Sequence, residues 1–157
     1  MTPAADFIRK DWRESMDSIL HKEYTVVQDD YVNAGKVSSD IKTTLSEIGI
    51  SPKILRKIAV ASYESEINLI IHAYGGKVYL DVGDDGYISL VFKDPGPGIP
   101  DLEKALTPGW STASEKARGM GFGAGMGLPN IQRVTDDFHI ESSPEGTTLK
   151  LGFRAAV

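Results

Sequence analysis

The sequence predicts an α+β fold, with helices packed on one face of a mixed or antiparallel sheet. Three features carry this. A helical period runs through residues 33–74, a period of two replaces it after Gly75-Gly76, and two short alternating segments flank Pro144-Glu145-Gly146 near the end. At 157 residues, 41% hydrophobic and 25% charged, the chain fits one globular domain that can bury a core without staples.

Residues 3–20 read as a leading helix, because Phe7, Trp12, Met16, Ile19 and Leu20 recur at roughly helical spacing with charges between them. Residues 23–29 hold a short β-branched run and predict the first strand. Residues 33–49 read as a helix stopped by Gly49. Ser51 is then placed to cap, and Pro52 to open, the longest helix, over 52–74. Residues 77–82 and 87–93 are strands around the loop Gly83-Asp84-Asp85-Gly86. Residues 94–125 are loop-rich, and eight of the sixteen glycines fall between Gly96 and Gly127. So long a stretch without periodicity in a compact domain points to a binding loop or a lid. A helix over 128–135 and strands over 137–142 and 147–153 complete the chain.

The chain has no cysteine, which excludes disulfides, thiolate metal sites and a cysteine nucleophile. Its net charge of -5 argues against nucleic acid as a partner, since phosphate-backbone affinity is built from Lys and Arg. No run of 18 apolar residues is present to span a membrane, and Met1 to Lys10 lack the apolar stretch of a signal peptide. A cytoplasmic protein is expected.

Three groups of residues could carry chemistry. Glu64, Asn68 and His72 recur at intervals of four on the long helix, within one arc of about 80°. Val60, Tyr63, Ile67, Ile70 and Ile71 fill the neighbouring arc, expected to face the sheet. A solvated edge with structural hydrogen bonds would explain the polar stripe as well. Asp94-Pro95-Gly96-Pro97-Gly98-Ile99 follows an apolar strand, so a carboxylate sits at a sheet margin beside glycines that permit close backbone approach. A plain Pro-Gly turn would look the same. Gly119-Met-Gly-Phe-Gly-Ala-Gly-Met-Gly127 places glycines at every second position before a helix, an array of N–H groups suited to phosphate. It lacks the G-K-[ST] of a P-loop and comes too late in the chain for a Rossmann fingerprint.

Taken together, Glu64-x-x-x-Asn68, Asp94-x-Gly96-x-Gly98, Gly123-x-Gly125-x-Gly127-Leu128 and Gly146-Thr147 resemble, in order and spacing, the conserved boxes of the GHKL (Bergerat-fold) ATPases. Ala61 to Tyr74, Gly109-Trp-Ser-Thr112 and Gly125-Met-Gly-Leu-Pro-Asn130-Ile look most like the bacterial anti-sigma regulatory factors and switch serine/threonine kinases. The resemblance covers about residues 23–154 and leaves 1–22 as an N-terminal helical extension to an ATP-binding domain over 23–157.

It implies a two-layer α/β sandwich and the cofactors ATP and Mg²⁺. Asn68 would be the metal ligand, and Glu64 would orient or deprotonate the attacking hydroxyl. Asp94 would accept the adenine amine, with Gly96, Gly98 and Ile99 around the purine and ribose. Gly121, Gly123, Ala124, Gly125, Met126, Gly127 and Leu128 would cradle phosphates, with residues 101–122 as the ATP lid. Thr147 would support Asp94 through its hydroxyl or a water.

The implied activity is transfer of the ATP γ-phosphoryl to a small STAS-like antagonist protein in a partner-switching module. The alternative is an anti-sigma factor that sequesters a sigma factor with little or no catalysis. Action as half of a sensor kinase is disfavoured, because His21 lacks the context of a phosphoacceptor box and His139 falls in a strand. No chemical role attaches to His72. Phe7, Trp12 and Met16 could dock a second copy as a homodimer, dock a partner, or cap the sheet.

Overall fold

The alternating segments after Gly76 build the centre of a five-stranded, wholly antiparallel sheet, in a computed structural model that describes residues 18–109 and 127–155. Its strands are β1 (Ser18–Val26), β2 (Gly76–Gly83), β3 (Tyr87–Lys93), β4 (Asp137–Ser143) and β5 (Gly146–Arg154), in the order β1-β2-β3-β5-β4. The register stacks apolar residues in rows. Val82, Ile88 and Phe153 align across β2, β3 and β5, as do Leu80, Leu90 and Leu151, and Val78, Phe92 and Leu149. All nine are buried in one core cluster. Helices α1 (Lys36–Glu47), α2 (Pro52–Ile71), the short α3 (Leu102–Ala105) and α4 (Gly127–Val134), with a 3-10 turn over Tyr31–Asn33, complete the described elements. Ile41 and Leu45 of α1, Ile58 and Ile70 of α2, and Ile131 of α4 enter the same core as the three rows.

The leading helix read over 3–20 does not reach residue 20. Ser18 to Val26 pair with β2, and Ile19, His21, Glu23 and Thr25 point outward while Val26 closes the strand in the core. Ile19-Leu20 satisfies either period, and a sheet edge decides between them. The strand also ends earlier than residue 29. Asp29 takes a φ of 59°, and its N–H donates to the Ile70 carbonyl, which turns the chain toward α1.

Ser51 precedes α2 in extended conformation with Pro52 at the first helical position, but its side chain makes no capping hydrogen bond. α2 stops at Ile71 rather than 74. Gly75, at φ 75°, donates to the Leu69 carbonyl, which closes the helix end.

The buried arc of α2 differs from the one expected. Val60 and Tyr63 are exposed, Ile71 is half-buried, and Ser62, Ser65 and Glu66 are buried among the apolar residues. Ser62 and Ser65 satisfy their hydroxyls on the Ile58 and Ala61 carbonyls one turn back, so they pack as small residues. Glu66, 1% exposed, accepts hydrogen bonds from the backbone N–H groups of Gly35 (3.0 Å), Val37 (3.4 Å) and Ser38 (2.9 Å). These are orphan donors at the start of α1, which has no side-chain cap of its own. A carboxylate of α2 therefore caps α1 and locks the two helices together.

Candidate functional site

At the end of β3 the backbone fixes a carboxylate. Asp94 Oδ1 accepts from the N–H of Gly96 (2.8 Å) and of Thr147 (3.3 Å), and the Asp94 N–H donates to the Thr147 carbonyl (3.0 Å). Both side-chain hydrogen bonds that Asp94 makes among the described residues end on Oδ1. Burial raises the Asp94 carboxyl above the ordinary carboxylate range, and the two N–H donors partly offset this. Thr147 thus supports Asp94 through its main chain. Its hydroxyl instead lies 2.7 Å from Ser142 Oγ, which accepts the Ile99 N–H at 2.7 Å. Ser142 ties the loop 94–99 to the β4–β5 hairpin and was not singled out in the sequence.

The glycines of this loop answer first to that hairpin. Gly98, at φ 89°, lies so close to the Ser143 carbonyl that a Cβ would collide with it. Gly96, at φ 131°, lies against Pro144 and the ring of Tyr74, and its carbonyl accepts the Tyr74 N–H at 3.1 Å. The loop is thereby held to the segment just after α2.

The second group lies between α2 and α4. Glu64 and Asn68, one turn apart on α2, face the first residue of α4. A Cβ placed on Gly127 would sit 3.2 Å from Asn68 Oδ1 and 3.5 Å from Glu64 Oε2. Glycine keeps this space open. Glu64 is half-buried; burial raises its carboxyl above the usual range, and a hydrogen bond from the Asn130 side chain opposes the rise. Leu128 packs its side chain into the core, so it would meet a ligand through its main chain. His72 caps the end of α2 with its N–H on the Asn68 carbonyl (2.9 Å), and burial lowers its pKa. His21 Nδ1 lies 2.8 Å from a carboxylate oxygen of Asp81 on the sheet edge.

The structure thus brings Glu64, Asn68 and Gly127 together at one end of a path along α2, with Asp94, Gly96, Gly98, Ile99 and Thr147 at the other. Gly121, Gly123, Ala124, Gly125 and Met126 lie outside the described residues, as does residues 110–122 of the expected lid. Of residues 101–109, Leu102–Ala105 form α3, whose start Asp101 caps by accepting the Lys104 N–H at 3.0 Å.

An antiparallel sheet with helices on one face, and polar groups spread between its longest helix and a strand end, is the layout of the histidine-kinase-like ATPases. Residues 27–153 match the histidine kinase-like ATPase domain, and the chain belongs to that family. It is 32% identical over 142 residues to an anti-sigma F factor of Bacillus velezensis, covering 87% of this chain and 92% of that one. It is 30% identical over 113 residues to the serine/threonine-protein kinase RsbT of Bacillus subtilis, covering 69% of this chain and 79% of that one. In the solved SiaB-SiaC complex of Pseudomonas aeruginosa, one chain superposes with a TM-score of 0.58 at 14% identity, over 95% of this chain and 98% of that chain. At that identity the likeness speaks for the fold. Among the described residues no helix is long and apolar enough to cross a membrane.

Proposed function

We propose that this chain is a protein serine/threonine kinase that passes the γ-phosphoryl of ATP to a hydroxyl of a small antagonist protein. The observation that carries the reading is the meeting of Glu64 and Asn68 on the glycine that opens α4. Eight residues of α2, Glu64 to Ile71, span about 10 Å at helical rise. An elongated nucleotide can lie along them, its adenine on Asp94 and its phosphates beside Asn68.

The residues present fit a magnesium nucleotide. Asn68 offers an oxygen at a gap that a Cβ on Gly127 would fill, and Mg²⁺ commonly takes one or two protein oxygens alongside phosphates and waters. When bound, the metal neutralises charge on the phosphates during transfer. Asp94 Oδ2 accepts the adenine amine while Oδ1 stays on the backbone. Glu64, whose carboxyl burial raises above the usual range, accepts the proton of the attacking hydroxyl. The hydroxyl oxygen bonds the γ-phosphorus, the bond to the bridging oxygen breaks, and ADP leaves. The similarity to RsbT supports this reading.

A second reading, nucleotide-dependent sequestration of a sigma factor, draws on the similarity to anti-sigma F factors. Purified protein is incubated with labelled ATP and the small protein that co-purifies with it. Label on a Ser or Thr of that protein, absent with Asn68→Ala, is the expected result. Tight nucleotide and partner binding without label would put sequestration first.

A further inference from the structure

The first turn of α4 carries a second polar residue toward the site. Gly127 and Asn130 are three apart on α4 and so share a face, as do Glu64 and Asn68, four apart on α2. The two faces meet: Gly127 lies against Asn68 and Glu64, and the Asn130 side chain hydrogen-bonds the Glu64 carboxylate. We propose that Asn130 is the positioning residue for Glu64, its side-chain amide aiming the carboxylate across the gap at Gly127. The proposal rests on the reading of Glu64 as the base.

A carboxylate has several rotamers and would lose orientation on a half-buried helix face with no partner. The choice of an amide follows from charge. A Lys or Arg here would form an ion pair and weaken the base, and an Asp would repel it and invite a shared proton. A neutral donor orients without either effect. Among the described residues nothing else on these elements competes. Burial and the Asn130 amide are the influences on the Glu64 carboxyl, Arg133 of α4 is not among them, and on α2 itself the neighbouring Tyr63 phenol feels the Glu64 charge. Asn130 touches no reacting atom in this account and acts through Glu64.

The test reads Glu64 before it reads activity. Carboxyl carbon NMR of the nucleotide-free protein, with Glu64→Gln to assign the signal, follows the titration of Glu64 in the parent, in Asn130→Ala and in Asn130→Asp. The midpoint is expected to move upward in Asn130→Ala, where burial loses its opposing hydrogen bond, and further upward in Asn130→Asp, where a like charge is added. The acid limb of single-turnover transfer should follow the same shift. The rate at pH 7 should fall about tenfold, a part of the roughly 10²–10⁴-fold that a positioned base contributes, while the ATP concentration for half-maximal rate stays put. Asn130→Ser, which keeps a donor, should recover part of both. A Glu64 midpoint unmoved in folded Asn130→Ala and Asn130→Asp would overturn the proposal. If the midpoint moves but Glu64→Gln transfers at the parental rate, the amide contact stands and the assignment of Glu64 as base fails, which also withdraws the role given to Asn130.

Discussion

The two ends of the candidate site hold a carboxylate in opposite ways. Asp94 is gripped by main chain: two backbone N–H groups converge on one oxygen, from a loop and a hairpin that the sheet has already fixed. Glu64 is held by one side-chain amide across a helix–helix gap. Burial raises both carboxyls, yet only the first is anchored by groups that side-chain truncation leaves in place. On the proposed function, the end that would recognise the base is built into the fold, whereas the end that would do the chemistry rests on a side-chain contact and should tolerate substitution better.

A pair of glycine substitutions should separate the ends most sharply. Gly98→Ala combines a left-handed φ with a collision against the Ser143 carbonyl. It should destabilise the domain by about 3 kcal/mol in urea titration, the cost of backbone strain and overpacking. Gly127→Ala meets only side-chain atoms, the nearest at 3.2 Å, and has no left-handed φ. Its stability should stay within about 1 kcal/mol of the parent, since alanine also favours the helix, while nucleotide handling suffers. Equal destabilisation by both would dissolve the contrast.

Next in size is the choice of base. Asp94→Asn keeps the shape but swaps an acceptor for a donor at Oδ2. ATP and ADP should raise the parent's melting temperature far more than GTP, and the variant should lose that preference. A buried polar mismatch costs about 1–3 kcal/mol, roughly five- to 150-fold in affinity. GTP stabilising the parent as well as ATP would remove Asp94 from adenine recognition.

The smallest effect concerns stability and pH. Glu64 has its folded pKa raised above the unfolded value. It therefore contributes stability that is present below the unfolded pKa of about 4.3 and is lost as pH rises through the folded pKa. Glu64→Gln should match the parent near pH 4 and melt a little higher at pH 7. A variant less stable at pH 7 than at pH 4, relative to the parent, would mean that Glu64 is stabilised in its charged form.

The sheet and its hairpins were legible because turn chemistry and alternation are local. Gly83-Asp84-Asp85-Gly86 and Pro144-Glu145-Gly146 stand where the sequence puts them. Asp94 could be picked out beside its glycines, and Glu64 and Asn68 by their spacing of four on a helix once the motifs were taken together. What escaped was non-local. Glu66 reads as a surface acid two residues from Glu64, and nothing near it in sequence shows that its partners lie 28 to 31 residues earlier. Ser142 and Asn130 are ordinary polar residues until hairpin and helix bring them to Ile99 and Glu64. Residues 18–22 were misread because a sheet edge accepts a sequence that also fits a helix.

On the proposed function, Asn68 binds and Glu64 reacts. Calorimetric titration of Mg-ATP into Glu64→Gln, alongside single-turnover transfer to the acceptor, tests it most directly. The glutamine keeps volume and hydrogen-bonding reach, and it removes a negative charge near the γ-phosphate, so affinity should equal or slightly exceed the parent's. Transfer should fall about 10²–10⁴-fold, the usual contribution of a positioned base. Transfer at the parental rate, or a loss of affinity as large as the loss of rate, would contradict the division of labour on α2.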